Sequence, residues 1–144
     1  MTVAAILKYK GREVARTAPT ATVAEVARVL AARRIGALLV LDSADHLVGI
    51  ISERDIVASL AEHGAATLER TAAQLMTREL HTATMKTTVP EAMEMMTTGR
   101  FRHLPVMEGD RLLGVVSIGD IVKARISQQE QEVDSLKAYV AGAS

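Results

Sequence analysis

Hydrophobic positions recur along this chain at helical spacing in two places. They fall at Val23, Val26, Ala27 and Leu30, and again at Val89, Ala92, Met93 and Met96. Steps of three and four put each set on one face of a helix. Thr22 and Thr88 head the two helices with Glu25 and Glu91 three residues on, the capping-box spacing in which each residue satisfies the other's backbone N–H. Behind each helix come two short apolar runs, ALLVLD then LVGIIS, and HLPVME then LLGVVS. They are expected as strands joined by turns at SADH and GD. A further helix is predicted behind each pair, opening in SERDIVASLAEHG and SIGDIVKARIS, with Ser52 and Ser117 at its cap.

The two blocks are copies of each other. Val23/Val89, Glu25/Glu91, Arg34/Arg100, Leu38/Leu104 and Val40/Val106 are identical pairs 66 residues apart. Past a one-residue gap in the turn the spacing becomes 65, and Gly49/Gly114, Ser52/Ser117, Asp55/Asp120, Ile56/Ile121 and Val57/Val122 also agree. Such repetition constrains the fold more than any single motif. Either half, at roughly 60 residues, is too small to bury much surface alone. The expectation is therefore an α+β fold of two helix–strand–strand–helix repeats, each with a short extra strand, packed face to face about a pseudo-twofold axis. The expected division is 1–13, an N-terminal segment or helix; 14–63, the first repeat; 64–80, a connecting segment with a helix in TLERTAAQLM; 81–125, the second repeat; and 126–144, an amphipathic helix. In this last helix Ile126, Val133, Leu136 and Val140 share a face that asks for a partner surface.

Composition narrows the function. With 144 residues, 49% hydrophobic and 24% charged, the chain can build a core but not a large multidomain enzyme. Its aromatics are Phe101, Tyr9 and Tyr139, so the core is aliphatic with seven Met, and base-stacking platforms for nucleic acid are not expected. Seventeen basic residues balance seventeen acidic ones, without the basic excess of a phosphate-binding surface. No cysteine is present, which removes disulfides, thiolate nucleophiles and Cys-based metal sites and suits a reducing compartment. Neither a signal-peptide run nor an 18-residue apolar stretch occurs, so a soluble cytoplasmic protein with no membrane partner is expected.

A doubled helix–strand–strand–helix unit, with RHLPV on one strand and glycine, two apolar residues, Ser and then Asp three residues later across the next strand–helix turn, resembles the cystathionine β-synthase (CBS) domain family. The resemblance covers about residues 14 to 125, and the pair is similar to a Bateman module. It implies a non-enzymatic regulatory module whose clefts between repeats take adenine-containing ligands such as AMP, ADP, ATP, NAD(H) or S-adenosylmethionine, AMP first among them. It also implies energy sensing, a disc-like homodimer, and, for a chain with no attached enzyme, action through its dimer surface or a separate protein target.

The resemblance assigns ligand contacts to Asp55 and Asp120, whose ionised carboxylates can accept from ribose hydroxyls. It assigns ribose or phosphate contacts to Ser52 and Ser117, and phosphate to Arg54, Arg102 and His103. Thr17, Thr82 and Thr84 lie where the family meets the base. Each has a plainer reading: first-turn Asp favoured by the helix dipole, Ser as cap, Arg54 solvated, His103 a strand-end histidine, the threonines ordinary strand residues. The halves differ, because Gly36 and Ala37 stand in the first repeat where Arg102 and His103 stand in the second, and Gly119 stands where the first has Arg54. Different ligand preferences are expected. Asp55→Ala and Asp120→Ala are each expected to weaken ribonucleotide binding with the fold intact. Met93, Met95 and Met96 read as core filler. His46, His63 and His81 lack metal-ligand spacing, so no metal site is expected.

Two other functions compete. An enzyme such as inosine monophosphate dehydrogenase, a known host of these modules, needs a Cys nucleophile and a barrel, and this chain has neither the Cys nor the length. A structural protein-interaction module with empty clefts is the alternative, kept open by the apolar face of the C-terminal helix.

Overall fold

The computed structural model of the chain describes residues 1–143. Val23–Arg33 forms α2 and Val89–Gly99 forms α5, each opened by its capping box. Thr22 Oγ1 accepts from the Glu25 N–H and the Glu25 carboxylate accepts from the Thr22 N–H, both at 3.2 Å; Thr88 and Glu91 repeat the pair at 3.2 Å. Pro90 occupies the first turn of α5, where its missing N–H leaves no helical bond unmade. Strands β2 (Ala37–Leu41) and β3 (Leu47–Ser52) pair antiparallel, Val40 opposite Gly49, and a two-residue β1 (Arg16–Thr17) adds parallel to β2. The second repeat builds β4 (His103–Glu108) against β5 (Arg111–Ser117), with Ala83 bridging parallel to Val106 in the place of β1. This is the mixed α and β architecture read from the repeated sequence.

Further helices complete the chain. Helix α3 (Glu53–His63) stops at Gly64, whose φ of 61° a side chain would strain. The connecting segment forms a 3-10 stretch (Gly64–Glu69) followed by a short α4 (Ala72–Leu75) within TLERTAAQLM. Ser59 and Thr67 join the two turns through a buried hydroxyl pair at 2.8 Å. After Ser117 one continuous helix, α6, runs from Ile118 to Ala143 across position 125. No Gly or Pro falls between Asp120 and Ala141 to break it.

The chain forms two compact units that do not follow sequence order. One comprises Glu13–Leu80 with Asp110–Leu112, and the other comprises Met1–Arg12, His81–Gly109 and the chain from Leu113 onward. The N-terminal helix α1 (Val3–Lys10) thus belongs with the second repeat, whereas α4 belongs with the first. Each core has the same plan: Val23, Val26, Leu38, Val40 and Ile51 in one, Val89, Ala92, Leu104, Val106 and Val116 in the other. Full burial of such a side chain contributes about 1.5–3 kcal/mol. Met96 is buried in the second core with Met93 and Met95 packed against it, the filler role expected of them.

Helices α1 and α4 occupy equivalent places. Thr2 bridges to Thr88 and Thr71 to Thr22, each segment held by a reciprocal pair of backbone bonds. Leu7 of α1 then lies on Gly114 of β5, and Met76, just past α4, lies on Gly49 of β3. A Cβ at Gly49 would stand 2.5 Å from Met76 Sδ and 2.9 Å from the Thr77 carbonyl oxygen. At Gly114 it would stand 3.0 Å from Leu7 Cδ2, with only that side chain to move. The two strand glycines are therefore seats for these segments. Gly49→Ala is expected to cost about 1–3 kcal/mol by overpacking, and more than Gly114→Ala, because backbone as well as side chain must give way. Urea unfolding of the two variants checks the order.

Candidate functional site

Both repeats place a serine and an aspartate at the turn from the second strand into the following helix. In the first repeat the Ser52 N–H donates to Asp55 Oδ2 at 2.9 Å while Ser52 Oγ accepts from the Asp55 N–H at 3.3 Å. The second repeats it, with Ser117 N–H to Asp120 Oδ2 at 2.8 Å and Asp120 N–H to Ser117 Oγ at 3.2 Å. These are reciprocal caps, so all four residues already hold the helix starts. Alanine at either aspartate would leave the serine N–H without its acceptor and lower stability as well as remove the carboxylate.

The segments seated on the glycines reach these aspartates, and here the repeats diverge. In the first, Thr77 pairs its backbone with Ile50, its N–H reaching the Ile50 carbonyl at 2.8 Å, and its hydroxyl donates to Asp55 Oδ1 at 3.3 Å. In the second, Lys10 Nζ donates to the carbonyl of Val115, the counterpart of Ile50, at 3.0 Å, and to Asp120 Oδ2 at 2.7 Å. One ammonium does what a backbone N–H and a hydroxyl do in the other copy. Partial burial raises the Asp120 pKa, but the hydrogen bond and charge of Lys10, with the Ser117 N–H, outweigh it and hold the carboxyl below its ordinary 3.8.

The remaining predicted residues distribute around these turns. The Arg102 carbonyl accepts from the Ile118 N–H at 2.8 Å, which fixes Arg102 beside the start of α6 with its side chain exposed; Gly36 accepts from Glu53 in the same way at 2.9 Å. His103 opens β4, half-buried, and Arg54 is exposed in the first turn of α3. Thr82 and Thr84 flank buried Ala83 on the exposed side of its bridge to β4. Thr84 Oγ1 accepts from the Lys86 N–H at 3.2 Å, a local turn bond. Thr17 pairs with Val40, the counterpart of Val106, so it corresponds to Ala83 and not to Thr82 or Thr84. The position matching Thr82 is Arg16, which pairs with Asp45 at 2.9 Å.

Two residues at these turns, Lys10 and Thr77, carry no site role in the sequence reading, and His81 enters it only as a histidine without metal-ligand spacing. Lys10 and Thr77 were outside the matched blocks, although TVAAIL at Thr2 and TAAQLM at Thr71 carry the same pattern and mark the repeated entry segment. His81 stacks on Phe101 with ring centroids 4.9 Å apart and planes 8° apart, an aromatic pair set just before Thr82 and Arg102. Among the described residues no helix is long and apolar enough to cross a membrane, and no group of three or more His, Asp or Glu could hold a metal.

Comparison with known proteins places this geometry in a wider set. A sequence model of the CBS domain matches the chain twice, over residues 11–62 and 72–127. The chain is 35% identical over 125 residues to a mitochondrial CBS domain-containing protein of Arabidopsis thaliana, covering 84% of this chain and 61% of that one. It therefore spans about three fifths of that relative's length. The crystal structure of a CBS-domain containing protein from Agrobacterium tumefaciens superimposes with a TM-score of 0.84 at 43% identity, covering 86% of this chain and 92% of that one. A CBS domain protein of Pyrobaculum aerophilum, solved as a complex with AMP, superimposes with a TM-score of 0.73 at 28% identity, covering 83% and 89%. The double match, the doubled Ser–Asp turn and these relatives together make the chain a member of the CBS domain family, with two copies of the domain.

Proposed function

We propose that this protein is a non-catalytic regulatory module that binds an adenine nucleotide, AMP first among the candidates and ATP or NAD(H) behind it, at the Ser–Asp turns of its two repeats. The observation that carries the reading is the pair of equivalent carboxylates, Asp55 and Asp120, each oriented by a serine cap with Oδ1 away from the cap. An oriented carboxylate is an acceptor suited to vicinal ribose hydroxyls. The AMP-bound Pyrobaculum relative supports the choice of ligand. Ser52, Ser117, Arg54, Arg102, His103, Thr17, Thr82 and Thr84 are the further contacts in this reading, ribose and phosphate falling to the first five and base to the threonines. The module acts as a homodimer on a protein target in a reducing compartment, the cytoplasm.

The two turns are not interchangeable. Lys10 and Arg102 bring two cations to the second, whereas Thr77 and Gly36 stand in their places in the first, which carries one cation, Arg54, where the second has Gly119. The second turn thus suits a more anionic ligand, and Lys10 holds the Asp120 carboxylate in place for it. A ligand changes the protein only through its different affinity for two states, so the unequal turns allow two signals to be read by one chain.

Asp55→Asn and Asp120→Asn keep a cap acceptor but lose the charge. Each is expected to weaken AMP binding at its own turn about tenfold or more, the scale of a charged hydrogen bond of about 1.5–3 kcal/mol. Calorimetric titration reads this directly, and unchanged affinity in both variants removes the ribose assignment. For Lys10→Met the test is stability against pH. The depressed folded-state pKa of Asp120 stabilises the native chain above the free value of 3.8, and that contribution is lost as pH falls through the lowered pKa. The stability deficit of Lys10→Met is therefore expected at neutral pH and should shrink below pH 3.8, followed by urea unfolding.

A further inference from the structure

Helix α6 leaves its unit uncovered. Ile121 is buried and Ala124 packs on the core, but every described residue from Gln129 to Gly142 is exposed. A helix segment of this length is marginal in water without a partner. Its apolar side chains, with Gln129 among them, follow a spacing of alternately four and three: Val122, Ile126, Gln129, Val133, Leu136 and Val140. That is the repeat of a coiled-coil seam, with Ile126, Val133 and Val140 at a positions and Val122, Gln129 and Leu136 at d. The five apolar members are 44%, 51%, 50%, 62% and 60% exposed, so the seam is open along its length. The protein surface is hollowed there, in a depression lined by Ile126, Gln129, Val133 and their charged neighbours.

We propose that α6 pairs with α6 of a second copy of this chain as a parallel, in-register coiled coil. The charges flanking the seam choose this occupant and this direction. With the heptad set by Ile126, the g positions carry Arg125 and Glu132 and the e positions carry Lys123, Glu130 and Lys137. In a parallel pair each g residue meets the e residue five positions on in the other helix. Arg125 then faces Glu130 of the second copy, and Glu132 faces its Lys137. By twofold symmetry each contact occurs twice, so all four flanking pairs are attractive. Reversing one helix while keeping the whole seam in contact sets Glu130 against Glu130, Glu132 against Glu132 and Lys123 against Lys137. Every one of those contacts repels. Gln129 adds a second reason. In register, its amide lies opposite another amide and can hydrogen-bond, whereas in the reversed overlay it faces Val133 and loses that partner.

The absence of cysteine makes the test direct. Val133→Cys places thiols opposite each other at an a position, and Gln131→Cys places them at f, on the far side of the helix. Both sites are exposed, and circular dichroism verifies that each variant folds. In oxidising glutathione, full-length Val133→Cys is expected to form a covalent dimer on non-reducing gels, and Gln131→Cys to remain monomeric on the same timescale. Glu132→Lys in the Val133→Cys background should slow crosslinking about fivefold, from two like-charge contacts per pair, and Lys137→Glu added to it should restore the rate. Equal crosslinking of the two cysteine variants, or none by Val133→Cys, overturns the proposal. Crosslinking only when Gln129→Cys and Val133→Cys chains are mixed would establish the reversed helix pair and overturn the parallel one. The result is independent of nucleotide binding, so either reading can fail alone.

Discussion

The close approach of an entry segment to a strand glycine organises everything at the candidate site. At Gly114 the strand leaves room for Leu7, and at Gly49 for Met76. With those side chains seated, α1 and the end of α4 are held against the strands. Lys10 and Thr77 then fall within hydrogen-bond reach of the aspartate at each strand end. A larger residue at either glycine would lift the segment and withdraw the contact. The glycine of the repeated motif is thus the seat of a segment from elsewhere in the chain, and the Ser–Asp pair is the feature that the seated segment meets.

Within that common plan the repeats have separated chemically. The backbone N–H and hydroxyl of Thr77 make two neutral hydrogen bonds in the first, and Lys10 makes both with one charge in the second. Evolution of a duplicated unit can change such a contact without disturbing the fold, because the same carbonyl and the same carboxylate are satisfied either way. The electrostatic environment of the two aspartates is nevertheless different. The Asp55 carboxylate is met by a neutral hydroxyl and the Asp120 carboxylate by an ammonium.

Much of this was legible in the chain. Capping boxes at Thr22 and Thr88, the strand pairs and the helices after Ser52 and Ser117 are local features, set by side chains three residues apart or by periodicity that one segment carries by itself. The Ser–Asp turn is visible as a repeated motif, and its double duty as helix cap follows from the three-residue spacing of Ser and Asp. The shift of Thr17 against Thr82 and Thr84 was not visible, because which residue faces out of a two-residue strand is decided by its partner's register.

The sequence alone therefore determined the duplication, the order of helices and strands, the family, and the residues that cap the second helix of each repeat, since all of these reside in short-range patterns. Tertiary structure decided which entry segment joins which repeat, and hence that Lys10 meets Asp120, 110 residues away along the chain. It also decided that the apolar stripe of α6 stays uncovered by its own unit. Both are contacts, or missing contacts, between segments far apart in sequence, and no local spacing encodes them.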